Sequence, residues 1–302
     1  MFIFEVIKAV FLGMIEGITE WLPISSTGHL ILFNEFWSLN VGADVHPEFS
    51  AEFWSMFEVV IQLGAILAVV VIFWQKLWPF SRKKSKEQKR STWTMWLKVL
   101  IASVPAAFVG IVVDKILENA TGKDIDGWFY NGWVVSAALI VYGVLFILIE
   151  RAHKGREPKI SDIDGVSYKN AFLMGIFQML AIIPGTSRSG STILGAMLLG
   201  LSRSTAAEFS FFMAIPAMAG GSLIKGLGFL KFANDELGGI SSVPFEAWLI
   251  LLIASVVAFL VSMLAIKFLM EFVKKHSFSS FGVYRIVLGA LVLGYFAIKL
   301  LV

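Results

Sequence analysis

Cysteine is absent from the 302-residue chain, which excludes disulfides, thiolate chemistry and any cysteine-held metal, and leaves the redox compartment unread. Charge is also scarce: 16% of residues are charged, where soluble domains carry about a quarter. Hydrophobic residues reach 57%, and mean hydropathy is +0.79. This composition makes the bilayer, rather than water, the expected solvent. A net charge of +3 does not mark a nucleic-acid binder, because the basic residues cluster in loops. The N-terminus lacks the basic flank of a cleaved leader, and its apolar run holds Glu5, Glu16 and Glu20. That run is expected to be retained and functional.

What the chain has instead is long apolar runs, among them Val59–Trp74, Val99–Val113, Trp133–Ile149, Ala247–Ile266 and Val283–Val302. They approach the ~20 residues that a spanning helix needs. Positive residues concentrate in two loops. Residues 75–94 carry Lys76, Arg82, Lys83, Lys84, Lys86, Lys89 and Arg90, and residues 151–169 carry Arg151, Lys154, Arg156, Lys159 and Lys169. The positive-inside rule puts both in the cytoplasm. The segment between the two enclosed crossings, with Asp114, Glu118, Asp124 and Asp126, then falls outside, as does the stretch around Asp44 and Glu48.

Two segments do not read as ordinary spans. Val10–Trp37 contains Pro23 and the polar string Ser25-Ser26-Thr27-Gly28-His29; Ala171–Leu201 contains Gln178, Pro184 and Thr186-Ser187-Arg188-Ser189-Gly190-Ser191. Polar, irregular backbone at membrane depth survives only when buried in protein or lining a wet cavity. Both are therefore expected to be re-entrant hairpins, over residues 3–37 and 168–201. Six full crossings remain, near residues 55–74, 95–113, 132–150, 206–229, 246–267 and 282–301. The expected fold is an all-α polytopic membrane protein with six transmembrane helices and two re-entrant helical hairpins, both termini lying outside.

The hairpins align weakly at one constant offset, pairing Gly13 with Gly175, Glu16 with Gln178, Ser25 with Ser187, Thr27 with Ser189 and Gly28 with Gly190. Each precedes three crossings. Three is odd, so residues 1–150 and 151–302 read as an inverted-topology repeat within one membrane domain. Such repeats bring their broken helices together near the midplane.

Ionisable residues inside membrane segments are functional candidates. Glu16 and Glu20 are four apart, share a helix face, and as adjacent carboxylates suit a hard cation such as Mg²⁺ or Ca²⁺. His29, beside Ser25, Ser26 and Thr27, suits a general base for a hydroxyl or a nucleophile toward phosphorus. Arg188, between Ser187 and Ser189, offers a planar, permanently charged fork for phosphate. Half-helices beginning near Gly28 and Gly190 would add anion-binding N-termini. Glu58, Gln62 and Glu208 are weaker, as supporting polar residues or ordinary packing hydrogen bonds.

These strings resemble a known family. Glu16 to Glu20 is similar to its (E/Q)xxxE region, and Pro23 to His29 to its PxSSxxH box. Pro184-Gly185-Thr186-Ser187-Arg188-Ser189-Gly190 with Thr192 resembles its PGxSRSxxT box. The family is the bacterial undecaprenyl-diphosphatase of the bacitracin-resistance type, and the resemblance covers nearly the whole chain. It implies hydrolysis of undecaprenyl diphosphate to the monophosphate and inorganic phosphate, recycling the lipid carrier of cell-wall synthesis. It also implies a divalent cation held by Glu16 and Glu20, with Ser26 and His29 as nucleophile and activating base, which of them attacks being left open. Arg188 with Ser187, Ser189, Gly190 and Thr192 would clamp the phosphates alongside Ser25 and Thr27. The resemblance places the protein in the bacterial plasma membrane, its site open to the outer face, with membrane lipid as surroundings and a polyprenyl diphosphate as partner; a homodimer stays open.

A lipid-phosphate transporter or flippase shares the inverted-repeat architecture, but a carrier does not need carboxylates, hydroxyls, His and Arg together. A type-2 phosphatidic-acid phosphatase needs a histidine soon after its Ser-Arg element. After Arg188 the only histidine is His276.

Overall fold

The computed structural model describes residues 2–42 and 44–301, with the side chains of Asp126 and Leu301 outside the description; the charge expected of Asp126 is among what lies outside it. The described residues fold into fourteen α-helices. In order these are α1 (Phe2–Thr19), α2 (Ser26–Phe36), α3 (Phe49–Val60), α4 (Gln62–Ile72), α5 (Trp74–Leu77), α6 (Lys86–Phe108) and α7 (Asp114–Thr121). There follow α8 (Ile125–Phe129), α9 (Gly132–His153), α10 (Tyr168–Met179), α11 (Arg188–Leu198), α12 (Arg203–Glu236), α13 (Phe245–Lys275) and α14 (Ser279–Leu301).

Six spans are long and apolar enough to cross a membrane: Phe49–Ile72, Lys86–Thr121, Gly132–His153, Arg203–Glu236, Phe245–Lys275 and Ser279–Leu300. These are the six expected crossings, each extended at one end or both. The protein is thus an all-α, multi-pass membrane protein. The second span passes through a π-helical turn, Val109–Val113, just after Pro105. Proline has no N–H to give the helix ladder, so the register is free to shift nearby.

The four helices of the two polar segments stand apart from these spans. With 11 residues each, α2 and α11 rise about 16 Å at 1.5 Å per residue, roughly half the hydrocarbon core. The order of elements is therefore helix pair, three spans, helix pair, three spans.

Packing crosses between the halves. α1 lies on α13, the middle span of the second half, and α10 lies on α6, the middle span of the first. α3 packs on α12, and α9 on α14. Each of these contacts joins one half to the other, so each half buries apolar surface against its opposite. Two aligned glycines make close backbone approaches. A Cβ on Gly13 would stand 2.5 Å from the Ala254 carbonyl oxygen, and one on Gly175 would stand 2.3 Å from that of Ala102. Small residues let backbones approach in lipid, where packing rather than water expulsion drives association. By contrast, a Cβ on Gly220 of α12 would meet nothing within 4 Å.

Gly13→Val is expected to cost about 1–3 kcal/mol by overpacking, while Gly220→Ala costs nothing and gains up to about 1 kcal/mol from helix propensity. Thermal unfolding of the two purified variants checks the contrast.

Candidate functional site

The two polar segments end on serines that break the usual backbone rule. Ser25 has φ 76° and Ser187 has φ 70°, and among the described residues these are the only non-glycine positions with positive φ. Left-handed backbone at a residue with a Cβ costs roughly 1–2 kcal/mol, and such strain gathers at functional sites when the surroundings hold it in place. Each serine is a helix N-cap: the Ser25 Oγ accepts from Gly28 N at 3.2 Å, and the Ser187 Oγ from Gly190 N at 3.1 Å. The half-helices therefore begin at Ser26 and Arg188, two residues earlier than expected, because a serine cap starts a helix at the residue after it. Ser26 and Arg188 stand in the first turns, where unpaired N–H groups point outward.

The two tips meet. Glu20 is 5% exposed; its Oε1 accepts from Arg188 Nη2 at 2.8 Å, and its Oε2 accepts from the Ser26 hydroxyl at 2.5 Å. Arg188 also donates from Nη1 to the Ser210 carbonyl at 2.8 Å, and its guanidinium lies 5.7 Å from the Trp21 ring centroid. The Ser189 hydroxyl donates to the Glu20 carbonyl at 3.0 Å, across the interface between tips. Thr192 is fully buried and shares a 2.6 Å hydrogen bond with the Ser210 hydroxyl. A cavity of about 230 Å³ opens here, walled by Glu20, Ser26, Thr27, Gln62, Ser187 and Arg188 among others.

Not every expected pairing forms. His29 does not serve the Ser26 hydroxyl, which Glu20 takes. Its Nδ1 lies 2.6 Å from the Ser25 carbonyl, which can only accept, so that nitrogen carries the proton. In the neutral ring, Nε2 then accepts from the Tyr284 hydroxyl at 2.7 Å. Glu20, expected to share a cation with Glu16, has both oxygens engaged. Glu16 is fully buried and neither of its oxygens has a partner. Glu208 lies away from the tips and pairs with Lys76 at 2.5 Å. Glu58 accepts from the Tyr130 hydroxyl at 2.7 Å.

Arg285 was not singled out from the sequence, although an arginine inside a crossing is itself the signal. It is fully buried on α14 and donates to the Pro23 carbonyl at 3.1 Å in one loop. In the other loop it donates to the Gly185 carbonyl at 2.7 Å and to that of Thr186 at 3.0 Å. One guanidinium fork thus pins both tips from behind. The neighbouring Tyr284 orients His29, so a single turn of α14 fixes both loops and the histidine.

Comparison with known proteins follows the same residues. The family described as bacitracin resistance protein BacA matches residues 9–291. A protein of Streptococcus thermophilus named undecaprenyl-diphosphatase is 50% identical over 300 residues, covering 99% of this chain and 96% of that one. One of the same name from Acetivibrio thermocellus is 51% identical over 293 residues, 97% of this chain and 98% of the relative. Undecaprenyl-diphosphatase 1 of Clostridioides difficile is 53% identical over 292 residues, 97% of this chain and 96% of the relative.

Arg285→Met removes the fork from both loops at once. Amide hydrogen exchange at Gly28 and Gly190 is expected to rise together, tenfold for each ~1.4 kcal/mol of anchoring lost, with Arg285→Lys recovering part of the protection.

Proposed function

Because the chain belongs to the bacitracin resistance protein BacA family, we propose that it hydrolyses undecaprenyl diphosphate to undecaprenyl phosphate and inorganic phosphate. This reaction returns the lipid carrier to cell-wall synthesis and accounts for the link to bacitracin. The observation that carries the residue assignment is the chain Ser26–Glu20–Arg188, a hydroxyl, a carboxylate and a guanidinium in continuous hydrogen bonding.

In the proposed reaction Arg188 and the N–H groups at the start of α11 hold the diphosphate. The Ser26 Oγ attacks the terminal phosphorus while its proton passes to Glu20. The bond from that phosphorus to the bridging oxygen breaks, and prenyl monophosphate leaves with the electron pair. Glu20 passes that proton to the departing monophosphate. Water then attacks the phosphoserine, giving a proton to the freed Glu20 carboxylate, and the Ser26 oxygen leaves phosphorus with the bonding pair and takes that proton back from Glu20. Arg188 balances charge that builds on the phosphoryl oxygens, a stabilisation worth most in a site sheltered from water. His29, held by Ser25 and Tyr284, orients the first turn of α2.

A divalent cation fits this donor set at Glu16. An ionised carboxylate, fully buried and without a hydrogen bond, is costly to leave uncompensated. Bound Mg²⁺ or Ca²⁺ would supply Lewis-acid charge next to the phosphates. Among the described residues no three His, Asp or Glu side chains are grouped to cage a metal. That suits Mg²⁺, which keeps waters and is held by one or two carboxylates plus substrate phosphates.

We place the two halves as an inverted repeat, with α1–α2 and α10–α11 as re-entrant hairpins. The basic loops lie in the cytoplasm, and the termini and the site's opening lie on the outer side. The transporter alternative draws no support from the names of the relatives.

Purified protein supplied with undecaprenyl diphosphate and Mg²⁺ is expected to release one phosphate per lipid. Arg188→Ala should lower kcat/KM at least ~10²–10³-fold, and a chelator should stop release. Full activity in Arg188→Ala would overturn the phosphate clamp; release that withstands the chelator would remove the cation from the reaction.

A further inference from the structure

Gln178 is 2% exposed, and neither its amide oxygen nor its amide nitrogen has a hydrogen-bond partner. Buried polar side chains are nearly always satisfied, and each exception calls for an explanation. Leaving such an amide unpaired costs about 1–3 kcal/mol on mutational scales. Gln178 shares this condition with Glu16, the residue it aligns with in the other half. All four of their side-chain oxygen and nitrogen atoms are buried and unpartnered.

The location is specific. Gln178 sits on α10, one helix before the Arg188 tip, and lines the same 230 Å³ cavity as Glu20, Ser26 and Arg188. Glu16 lies one helical turn before Glu20: the Glu20 backbone N–H still donates to the Glu16 carbonyl at 3.0 Å, so the two side chains share a face. Each tip therefore carries a reactive residue at its end and an unsatisfied polar residue behind it.

We propose that Gln178 completes the cation site with Glu16, its carbonyl oxygen ligating the metal and its NH₂ group donating to a phosphate oxygen of the substrate. This rests on the phosphatase reading and adds to it a ligand from the second half. An amide is the side chain that can face both ways, because it presents an acceptor to a cation and a donor to an anion. A glutamate in its place would add an acceptor for the metal but repel the diphosphate. That difference accounts for the departure from symmetry, with Glu at position 16 and Gln at position 178.

The test measures Mn²⁺ binding by electron paramagnetic resonance, first with Mn²⁺ alone and then with methylenediphosphonate, which cannot be hydrolysed. The wild-type protein should bind Mn²⁺ more tightly when the diphosphonate is present. Gln178→Leu should weaken Mn²⁺ binding about tenfold under both conditions. The near-isosteric Gln178→Glu should bind Mn²⁺ alone more tightly yet lose the gain from diphosphonate, a split that a packing role cannot produce. Unchanged Mn²⁺ affinity in Gln178→Leu, or a Gln178→Glu protein that behaves as wild type with both probes, would overturn the proposal. Because the probe is not turned over, a failure of hydrolysis in the wild-type protein would count against the phosphatase reading and leave this result intact.

Discussion

One buried carboxylate, Glu20, joins the two ends of the site. Through one oxygen it holds Arg188 of the second half, and through the other the Ser26 hydroxyl of the first. Both partners are largely shielded, with Arg188 at 13% side-chain exposure and Glu20 at 6%. Removing one member of such a buried pair leaves the other uncompensated, at a cost of roughly 3–5 kcal/mol. The arrangement fastens tips that are far apart in sequence, and it sets a carboxylate between a hydroxyl and a guanidinium.

That fastening depends on how the halves are packed. Because α1 rests on the middle span of the other half, and α10 on the middle span of its own opposite, the tips are carried by scaffolds from both halves. Gly13 and Gly175 set how closely each helix approaches its support. Arg285 then fixes the loop backbones with three carbonyl hydrogen bonds, which lets Ser25 and Ser187 keep their unfavourable φ. Strain held in this way aims the first turns of α2 and α11 at one small cavity, the preorganisation that electrostatic catalysis requires.

Much of this was legible in the sequence, for identifiable reasons. The spans follow from hydropathy, and the polar strings around Ser26 and Arg188 interrupt apolar runs where nothing polar survives without purpose. The aligned serines proved to share one unusual backbone conformation. What escaped detection depends on tertiary proximity. The Ser26–Glu20 bond spans a helix break, so spacing alone pointed to His29 as the nearer base. His29 is instead engaged by Tyr284, which is 255 positions away. Glu208, readable from the sequence either as a supporting residue or as ordinary packing, turns its side chain to Lys76. Gln178 aligned with Glu16 from the outset; only burial without a partner gave that alignment a chemical meaning.

Ser26 and Arg188, from opposite halves and joined by Glu20, would act as one unit. A double-mutant cycle on phosphate release from undecaprenyl diphosphate tests it most directly. Ser26→Ala, Arg188→Ala and the double variant are compared with wild type by kcat/KM. Groups that act as a unit are strongly non-additive, so the double variant is predicted to be little worse than the poorer single variant. Losses that simply multiply, so that the double variant falls by the product of the two single effects, would contradict the account.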